Sequence, residues 1–169
     1  MRRLILFRHA KAEPRGRGQD DIDRPLAPRG REDAALIAGV LAREKLTPDL
    51  ALVSAAKRTQ ETWDCARAAF PAARMEVVDA LYNASAEEIM AEAEAWADEG
   101  ETLIIVGHNP GLHELAVMLL EEGGAPAWQV DKMDARFPTS TAAAFLIDPA
   151  GRASFDGLFL ASEHGGEGE

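Results

Sequence analysis

Short apolar runs alternate along this chain with longer segments of mixed polarity. The first run, residues 3–7, has no polar alternation, which is typical of a strand buried on both faces of a sheet. The runs predict six strands, over 3–7, 50–53, 75–78, 102–106, 141–147 and 153–160. Helices are predicted between the first five strands, and the helical spacing is clearest over 28–45, at Ala34, Ile37, Ala38 and Leu41.

The boundaries of the predicted helices rest on residues favoured at helix ends. Four starts are predicted in this way, at Pro28, Ser54, Ser85 with Glu88, and Asn109 with Pro110. The second helix is predicted to end at about residue 70, before Pro71, the third at Gly100 and the fourth at Gly123–Gly124. The polar segment 12–27, which contains glycine and proline, is predicted to be a surface loop.

Strands that alternate with helices predict an α/β fold, in which a mostly parallel central sheet lies between helices in a three-layer α/β/α sandwich. A turn predicted at 148–151 joins the last two strands and implies an antiparallel strand near the C-terminus. Domains commonly contain about 100–200 residues. The 169 residues therefore predict a single domain over 1–162, followed by a flexible tail over 163–169.

Composition narrows the classes of protein that this chain can represent. Apolar residues make up 47%, enough for a core, and the single cysteine, Cys65, excludes an intramolecular disulfide and fits a cytoplasmic protein. The apolar runs are too short for a membrane span or a signal peptide. The net charge of −11 argues against binding to nucleic acid or anionic membranes and favours a partner with a basic rim. Nothing in the sequence requires an oligomer.

Three predicted strand ends carry side chains suited to phosphate chemistry. Arg8 and His9 follow the first strand, Arg58 follows the second in SAAKRTQET, and His108 follows the fourth in GHNPG. The carboxyl ends of parallel strands meet at one edge of a sheet, so we expect these four side chains to surround one pocket. Arginine binds phosphate with paired hydrogen bonds, and the free N–H groups at helix starts also favour an anion.

The order of these motifs, RHA, SAAKRTQET and GHNPG, resembles the histidine phosphatase superfamily, which is related to the phosphoglycerate mutases. The short length and the segment 23–30 (DRPLAPRG) are similar to the SixA-type phosphohistidine phosphatases. The resemblance extends from residue 3 to about residue 147. It implies a phosphoglycerate mutase-like fold, with His9 as the catalytic nucleophile and Arg8, Arg58 and His108 as its partners in the phosphate pocket.

The chemistry of these residues is coherent without the resemblance. A neutral imidazole is a good nucleophile near neutral pH, so His9 would attack phosphorus and carry the phosphoryl group as a covalent intermediate. Arg8, Arg58 and His108 would stabilise charge on the phosphoryl oxygens. Water would then hydrolyse the intermediate, and the scheme requires neither a metal nor another cofactor.

A general acid is missing from the expected position. Larger relatives in the resembled family carry a glutamate after the third strand, whereas residues 79–85 here read DALYNAS. An imidazole leaves more readily than an alkoxide without a proton donor, so the expected substrate is phosphohistidine on a partner protein. Substitute donors are Asp21, Asp23, Glu13 and Tyr82, although Asp20, Asp21 and Asp23 are interpreted first as parts of a solvated loop.

Two alternatives stay open at this point. The chain would be a phosphatase of small phosphate esters if a substitute donor supplies the acid, or a non-catalytic module that binds phosphate or a phosphorylated partner. His113 is interpreted as a helix-surface or supporting residue, and Cys65 as part of the core. Residues 139–141 (TST) either line the pocket with hydroxyls or form the turn that begins a strand.

Overall fold

A six-stranded sheet forms the centre of the computed structural model, which describes residues 1–168. In chain order the strands are β1 (Arg3–Arg8), β2 (Leu50–Ser54), β3 (Arg74–Val78), β4 (Thr102–Gly107), β5 (Ala142–Ile147) and β6 (Ala153–Phe159). They lie in the order β3-β2-β4-β1-β5-β6, with β1 to β4 parallel and β5 antiparallel to both of its neighbours. The predicted mostly parallel sheet with an antiparallel strand near the C-terminus is confirmed.

Within residues 1–168, five α-helices accompany the sheet: α1 (Pro28–Arg43), α2 (Lys57–Ala66), α3 (Ala86–Ala95), α4 (Gly111–Glu122) and α5 (Ala127–Ala135). The sequence pattern does not predict α5, because Met133 is its one buried residue and no apolar stripe marks the helix. One predicted helix end is wrong, because α3 ends at Ala95, well before Gly100. α2 continues as a 3₁₀ turn at Arg67–Ala69, so helical structure ends close to the predicted residue 70.

The sheet separates two hydrophobic cores, one packed against α3, α4 and α5 and the other against α1 and α2. Successive side chains of a strand point to opposite faces, so β1 contributes Leu4 and Leu6 to the first core and Ile5 and Phe7 to the second. All four side chains are fully buried, and burial of each contributes roughly 1.5–3 kcal/mol. β1 is therefore held from both sides, and the residues at its carboxyl end lie on a rigid support.

The predicted side-chain caps fare differently from one another. Ser85 and Glu88 form the predicted capping box at the start of α3. The caps predicted at Ser54 and Asn109 are wrong, because α2 and α4 begin after Ala56 and Pro110 without a side-chain cap. The Ser54 and Asn109 side chains instead bind residues that are distant in sequence, and these bonds take the place of local capping.

Residues 12–27 form an irregular segment, as predicted. An isolated antiparallel bridge pairs Ala12 with Leu26, and a 3₁₀ turn spans Asp21–Asp23. The chain passes so close to α1 that a Cβ atom added to Gly30 would lie 2.1 Å from the carbonyl oxygen of Lys11. The segment is thus fixed at both ends, and its 3₁₀ turn lies beside α2.

The described part of the predicted tail contacts α1. The backbone amides of Glu167 and Gly168 donate to the buried Asp33 carboxylate at 3.3 and 3.0 Å, and the Glu167 carboxylate pairs with Arg29 at 3.2 Å. Glu169 lies outside the described residues. Among the helices of residues 1–168, none combines the length and the apolar character needed to cross a bilayer.

Candidate active site

The carboxyl ends of β2, β4 and β1 lie side by side and form one edge of the sheet. Arg8 ends β1 opposite Gly107, the last residue of β4, so His9 and His108 follow paired positions. Arg58 is the second residue of α2, which follows β2 after a short turn. At this edge the imidazole centroids of His9 and His108 are 5.4 Å apart, and Arg58 Nη2 is 3.3 Å from His108 Nδ1.

His9 is held as a neutral imidazole with a defined tautomer. Its Nδ1 lies 2.7 Å from the carbonyl oxygen of Ala10, and because a carbonyl only accepts, Nδ1 carries the proton. The Nε2 lone pair is left for chemistry. Burial lowers the pKa of His9 to about 3, with an opposing effect of the bond to Ala10 and further lowering from the neighbouring His108 and from the charges of Arg58 and Arg8. His9 is therefore unprotonated on Nε2 at neutral pH.

His108 has the opposite tautomer. A guanidinium only donates, so Nδ1 of His108 accepts from Arg58, and Nε2 carries the proton that it donates to Ser54 Oγ at 2.7 Å. Burial lowers the pKa of His108 to about 4, as does the charge of Arg58, while Asp21 acts in the opposite direction. Ser54, predicted as a helix cap, thus orients a site residue.

The two arginines are anchored by backbone carbonyl groups. Arg8 Nη1 donates to the carbonyl oxygen of Phe137 at 3.0 Å, and Arg58 Nη1 donates to that of Asp21 at 2.8 Å. After burial, the positive charges of both arginines are among the causes that lower the pKa of each imidazole, so both guanidinium groups lie near both rings. Paired guanidinium N–H groups suit the oxygens of a tetrahedral anion.

Asp21, which the sequence offers as a substitute donor but which is interpreted first as part of a solvated loop, lies at the site. Its carboxylate accepts from Arg58 Nη2 at 3.1 Å, from the Tyr82 hydroxyl at 2.8 Å and from Arg24 Nη1 at 3.1 Å. The interpretation of a solvated loop suits the exposed Asp20 and Asp23 but is wrong for Asp21. The segment is polar and aperiodic, and the one local sign of a contact is the pair of residues Asp21 and Arg24, three positions apart.

The hydrogen bonds around Asp21 decide whether Asp21 or Tyr82 could act as a general acid. The hydrogen bond from Tyr82 is the largest cause that lowers the pKa of Asp21 to about 2, assisted by Arg24 and Arg58. The same bond raises the pKa of the Tyr82 hydroxyl. Asp21 is therefore a carboxylate at neutral pH and Tyr82 holds its proton firmly, so neither group is well suited to protonate a leaving group.

A supporting layer lies behind the site. The Phe137 carbonyl accepts from Asn109 Nδ2 at 2.8 Å in addition to Arg8. His113 stacks on the Phe137 ring with centroids 5.7 Å apart, and its Nε2 lies 2.8 Å from the carbonyl oxygen of Met133. His113 thus supports the segment that anchors Arg8, which agrees with its interpretation as a supporting residue.

Residues 139–141 are buried and form the turn before β5. The Ser140 amide donates to the carbonyl oxygen of His9 at 3.2 Å, and the Arg8 amide donates to that of Thr141 at 2.9 Å. Ser140 adopts a positive φ of 59°. The segment therefore braces the end of β1 through its backbone. Cys65 is half-buried and packs on a small cluster of Ala10, Leu26 and Ala34.

Gly111, the second glycine of GHNPG, is the first residue of α4, and its position leaves no room for a side chain. A Cβ atom added to Gly111 would lie 2.2 Å from the carbonyl oxygen of Ala84, so a side chain at this position would push α4 away from the segment before α3. Within residues 1–168, no group of three or more His, Cys, Asp or Glu side chains is arranged to hold a metal ion. Arg8 and Arg58 supply positive charge at this edge.

Comparison with known proteins agrees with this geometry. The model of the histidine phosphatase superfamily (branch 1) matches residues 4–102. The Mycobacterium tuberculosis protein Rv1276c is 36% identical over 142 residues, which cover 83% of this chain and 87% of that protein. SixA from Agrobacterium tumefaciens, a candidate phosphohistidine phosphatase, has a TM-score of 0.82 at 28% identity, covering 94% of this chain and 98% of that one.

A more distant structure shares the fold alone. The alpha-ribazole phosphatase from Shigella flexneri has a TM-score of 0.66 at 16% identity and covers 94% of this chain and 96% of its own. The similarity to SixA and the family match confirm the resemblance first carried by the three motifs. The catalytic roles of His9, Arg8, Arg58 and His108 stay predictions. By the match over residues 4–102, more than half of its length, the chain belongs to the histidine phosphatase superfamily, branch 1.

Proposed function

We propose that this phosphatase uses His9 as its nucleophile, needs no metal for the reaction, and removes phosphate from phosphohistidine on a partner protein. One observation carries the proposal. His9 has its Nδ1 bound to the Ala10 carbonyl at 2.7 Å and a pKa lowered to about 3, chiefly by burial. The Nε2 lone pair is therefore available at neutral pH, beside two guanidinium groups.

In the first step, His9 Nε2 attacks phosphorus and the bond from phosphorus to the substrate imidazole breaks. A substrate ring that is protonated on its other nitrogen leaves as a neutral imidazole. Arg8 and Arg58 stabilise the charge on the phosphoryl oxygens. The bound anion raises the pKa of His108, so that Nδ1 takes a proton from solvent and donates to a phosphoryl oxygen; the proton returns to solvent when phosphate leaves.

In the second step, water attacks the phosphorus of phospho-His9 and the bond between nitrogen and phosphorus breaks. The His9 ring, which keeps its Nδ1 proton on the Ala10 carbonyl, leaves as neutral imidazole. Both hydrogens of the water end on the released phosphate, as H₂PO₄⁻. The enzyme is thereby returned to its starting state.

The leaving group favours phosphohistidine over an ester. An alkoxide needs a proton as it leaves, and general acids typically contribute ~10²–10⁴-fold to such reactions. The pKa of Asp21 is lowered to about 2, chiefly by Tyr82, and the pKa of Tyr82 is raised by Asp21. Both shifts disfavour proton donation, whereas a protonated phosphohistidine needs no donor.

The decisive experiment traps the intermediate. Wild-type protein given ³²P-labelled phosphohistidine and quenched in base should carry acid-labile phosphate, and His9→Ala should carry none. His164→Ala, which removes an exposed imidazole, is the matched control and should label like the wild type. Equal labelling of His9→Ala and wild type would overturn the assignment, and label in neither would favour a module that binds phosphate without catalysis.

Hydrolysis of small phosphate esters is the second candidate. The fold is shared with an alpha-ribazole phosphatase, and the Tyr82 ring lies 5.6 Å from that of His108, so one hydroxyl donor is at the site. Turnover of p-nitrophenyl phosphate and of phosphohistidine should be compared in wild type and Tyr82→Phe. Ester turnover as fast as phosphohistidine turnover, lost selectively in Tyr82→Phe, would favour this candidate.

A further inference from the structure

Helices α3 and α4 border a groove of about 470 Å³. Its lining residues repeat at the same helical spacing on each helix, with Glu87, Met90 and Glu94 on α3 and Leu115, Met118 and Glu122 on α4. The glutamates are exposed and the two methionines are half-buried. The groove therefore has an apolar middle, which flexible thioethers can fit to different partners, and an acidic rim.

The charge of this face is one-sided. α3 carries four glutamates (Glu87, Glu88, Glu92 and Glu94), α4 carries three (Glu114, Glu121 and Glu122), and neither helix contains a lysine or an arginine. Arg152 also lines the groove, and it donates to the carbonyl oxygen of Gly123 at 3.4 Å. The excess of glutamates on α3 and α4 therefore favours a covering segment with positive charge.

Two smaller hollows lie between the groove and the candidate active site and share lining residues with each other and with the groove. A hollow of about 280 Å³ is lined by His108 and Glu114. Glu114 also lines a second hollow, of about 310 Å³, together with Met118. Met118 in turn lines the groove. A partner with a phosphorylated side chain at His108 would therefore reach the groove by passing over Glu114 and Met118 of α4.

We propose that the groove between α3 and α4 binds a basic amphipathic helix of the protein that carries the phosphohistidine. The inference rests on the proposed function, because it names the chemistry of that protein partner. Apolar side chains of the bound helix contact Met90 and Met118, in the manner of a helix in a groove. Its lysines or arginines pair with Glu87, Glu94 and Glu122.

Charge explains why this arrangement would select a protein substrate. A free phosphorylated metabolite approaches a molecule with a net charge of −11, and the acidic rim slows it. A protein whose cationic residues lie near its phosphohistidine is attracted by the same rim, while Arg8 and Arg58 bind the phosphoryl group. The groove therefore favours protein over metabolite without any change in the catalytic residues.

Two synthetic peptides test the proposal. Each is a helix of about 20 residues, ~30 Å long, with one phosphohistidine near an end, and they differ only in that the lysines on one face of the first are glutamines in the second. kcat/KM for the lysine peptide should be roughly tenfold higher at an ionic strength of ~0.01 M, where the Debye length is ~30 Å. The preference should shrink at ~0.15 M, where that length is ~8 Å.

A triple variant and a matched control locate the effect. The first triple variant combines Glu87→Gln, Glu94→Gln and Glu122→Gln, and it should remove most of the preference for the lysine peptide. The control variant neutralises three exposed carboxylates on the α1 and α2 layer, by Glu32→Gln, Glu44→Gln and Asp64→Asn. This control variant should keep the preference for the lysine peptide. Each variant removes three negative charges, so the two should cleave free phosphohistidine at rates similar to each other, and thermal unfolding should verify that both are folded.

The possible outcomes separate this inference from the proposed function. Amide resonances of α3 and α4 should shift when the unphosphorylated lysine peptide binds, which tests docking without any turnover. Cleavage of free phosphohistidine without a preference between the peptides would overturn the docking surface alone. Failure to cleave phosphohistidine in any form would overturn the proposed function. Shifts confined to α1 and α2, or equal loss of preference in both triple variants, would also overturn the docking surface.

Discussion

His9 and His108 lie side by side, but the chain holds them in different ways. The His9 ring is fixed by the carbonyl of the next residue, Ala10. The His108 ring is fixed by Ser54 and Arg58, which lie 54 and 50 positions earlier. The orientation of His9, the proposed nucleophile, is thus a property of one strand end, whereas that of His108 depends on how β2 and β4 are aligned.

The two environments also place the protons on different nitrogens. His9 carries its proton on Nδ1 and leaves Nε2 open, and His108 carries its proton on Nε2 and leaves Nδ1 toward Arg58. A nucleophile needs a fixed lone pair, and a phosphate ligand must be able to gain a proton when the anion arrives. A bond to the adjacent carbonyl suits a ring whose lone pair must stay fixed. Proximity to the charged Arg58 and Asp21 suits a ring whose protonation must change when an anion binds.

Removal of each imidazole should separate the two roles. We expect His9→Ala to lower kcat/KM for phosphohistidine by roughly 10⁴-fold or more, as loss of a nucleophile does. We expect His108→Ala to lower it by roughly 10²–10³-fold, because one stabilising donor is lost. Steady-state rates with acid-labile labelling would check this, and His108→Ala should still label. Loss of labelling in both variants would mean that the roles are not distinct.

The buried neutral rings should also make stability depend on pH. In the unfolded chain these imidazoles titrate near pH 6.5, whereas burial lowers their pKa values to about 3 for His9 and about 4 for His108 in the folded state. As pH falls below 6.5, the unfolded state binds protons that the folded state does not. The free energy of unfolding therefore decreases, by about 2 kcal/mol per histidine at pH 5.

Urea unfolding at pH 7 and pH 5 measures this dependence. The decrease in the free energy of unfolding should be about 2 kcal/mol smaller in His9→Gln than in the wild type. His164→Gln, which replaces an exposed imidazole, should keep the wild-type decrease. If His9→Gln lost as much stability as the wild type between these pH values, the neutral state of the buried ring would be contradicted.

The carboxylate of Asp21 connects the His108 network to the segment 12–27, and its charge opposes an incoming anion at Arg58. Asp21→Asn keeps polar atoms beside Tyr82 and Arg58 but removes the negative charge. We expect inorganic phosphate to bind roughly 5–30-fold more tightly, from about 1–2 kcal/mol of lost repulsion. Titration calorimetry measures this, with Asp23→Asn as an exposed control. Weaker binding would show that the carboxylate mainly positions Arg58.

Ser54→Ala should have the smallest effect and should act on His108 alone. The loss of one hydrogen bond, worth about 0.5–1.5 kcal/mol, predicts a 2- to 10-fold decrease in kcat/KM, with labelling of His9 unchanged. Nitrogen NMR of the His108 ring should detect a mixed tautomer in the variant and the Nε2–H form in the wild type. A wild-type spectrum combined with reduced activity would contradict the positioning role of Ser54.

The fold could be predicted because strands buried on both faces of the sheet consist of uninterrupted apolar residues. Leu4 to Phe7 are apolar without interruption, and β2 and β4 show the same pattern. α5 carries no such mark, since one side chain is buried in it. Serine and asparagine are favoured at helix starts, so the local sequence predicts caps at Ser54 and Asn109. In the structure both side chains instead form hydrogen bonds to residues distant in sequence.

The site could be predicted most directly where its residues follow the end of a strand, as His9 and His108 do at once and Arg58 does after a short turn. His9 and His108 come immediately after buried strands, and the parallel order of the sheet brings them together. Asp21 lies in a polar, aperiodic segment, and its contacts with Arg58 and Tyr82 span 37 and 61 positions. No local pattern encodes a meeting of that kind, because it depends on how the segment folds across α2.

The carbonyl oxygen of Phe137 accepts from both Arg8 and Asn109, and so joins the ends of β1 and β4 through one atom. A main-chain acceptor is present whatever amino acid occupies the position. The anchor of Arg8 therefore depends on where the main chain runs, while the buried Phe137 ring, stacked on His113, holds that main chain in place. A deletion or insertion between α5 and β5 would displace the oxygen even if Phe137 itself were kept.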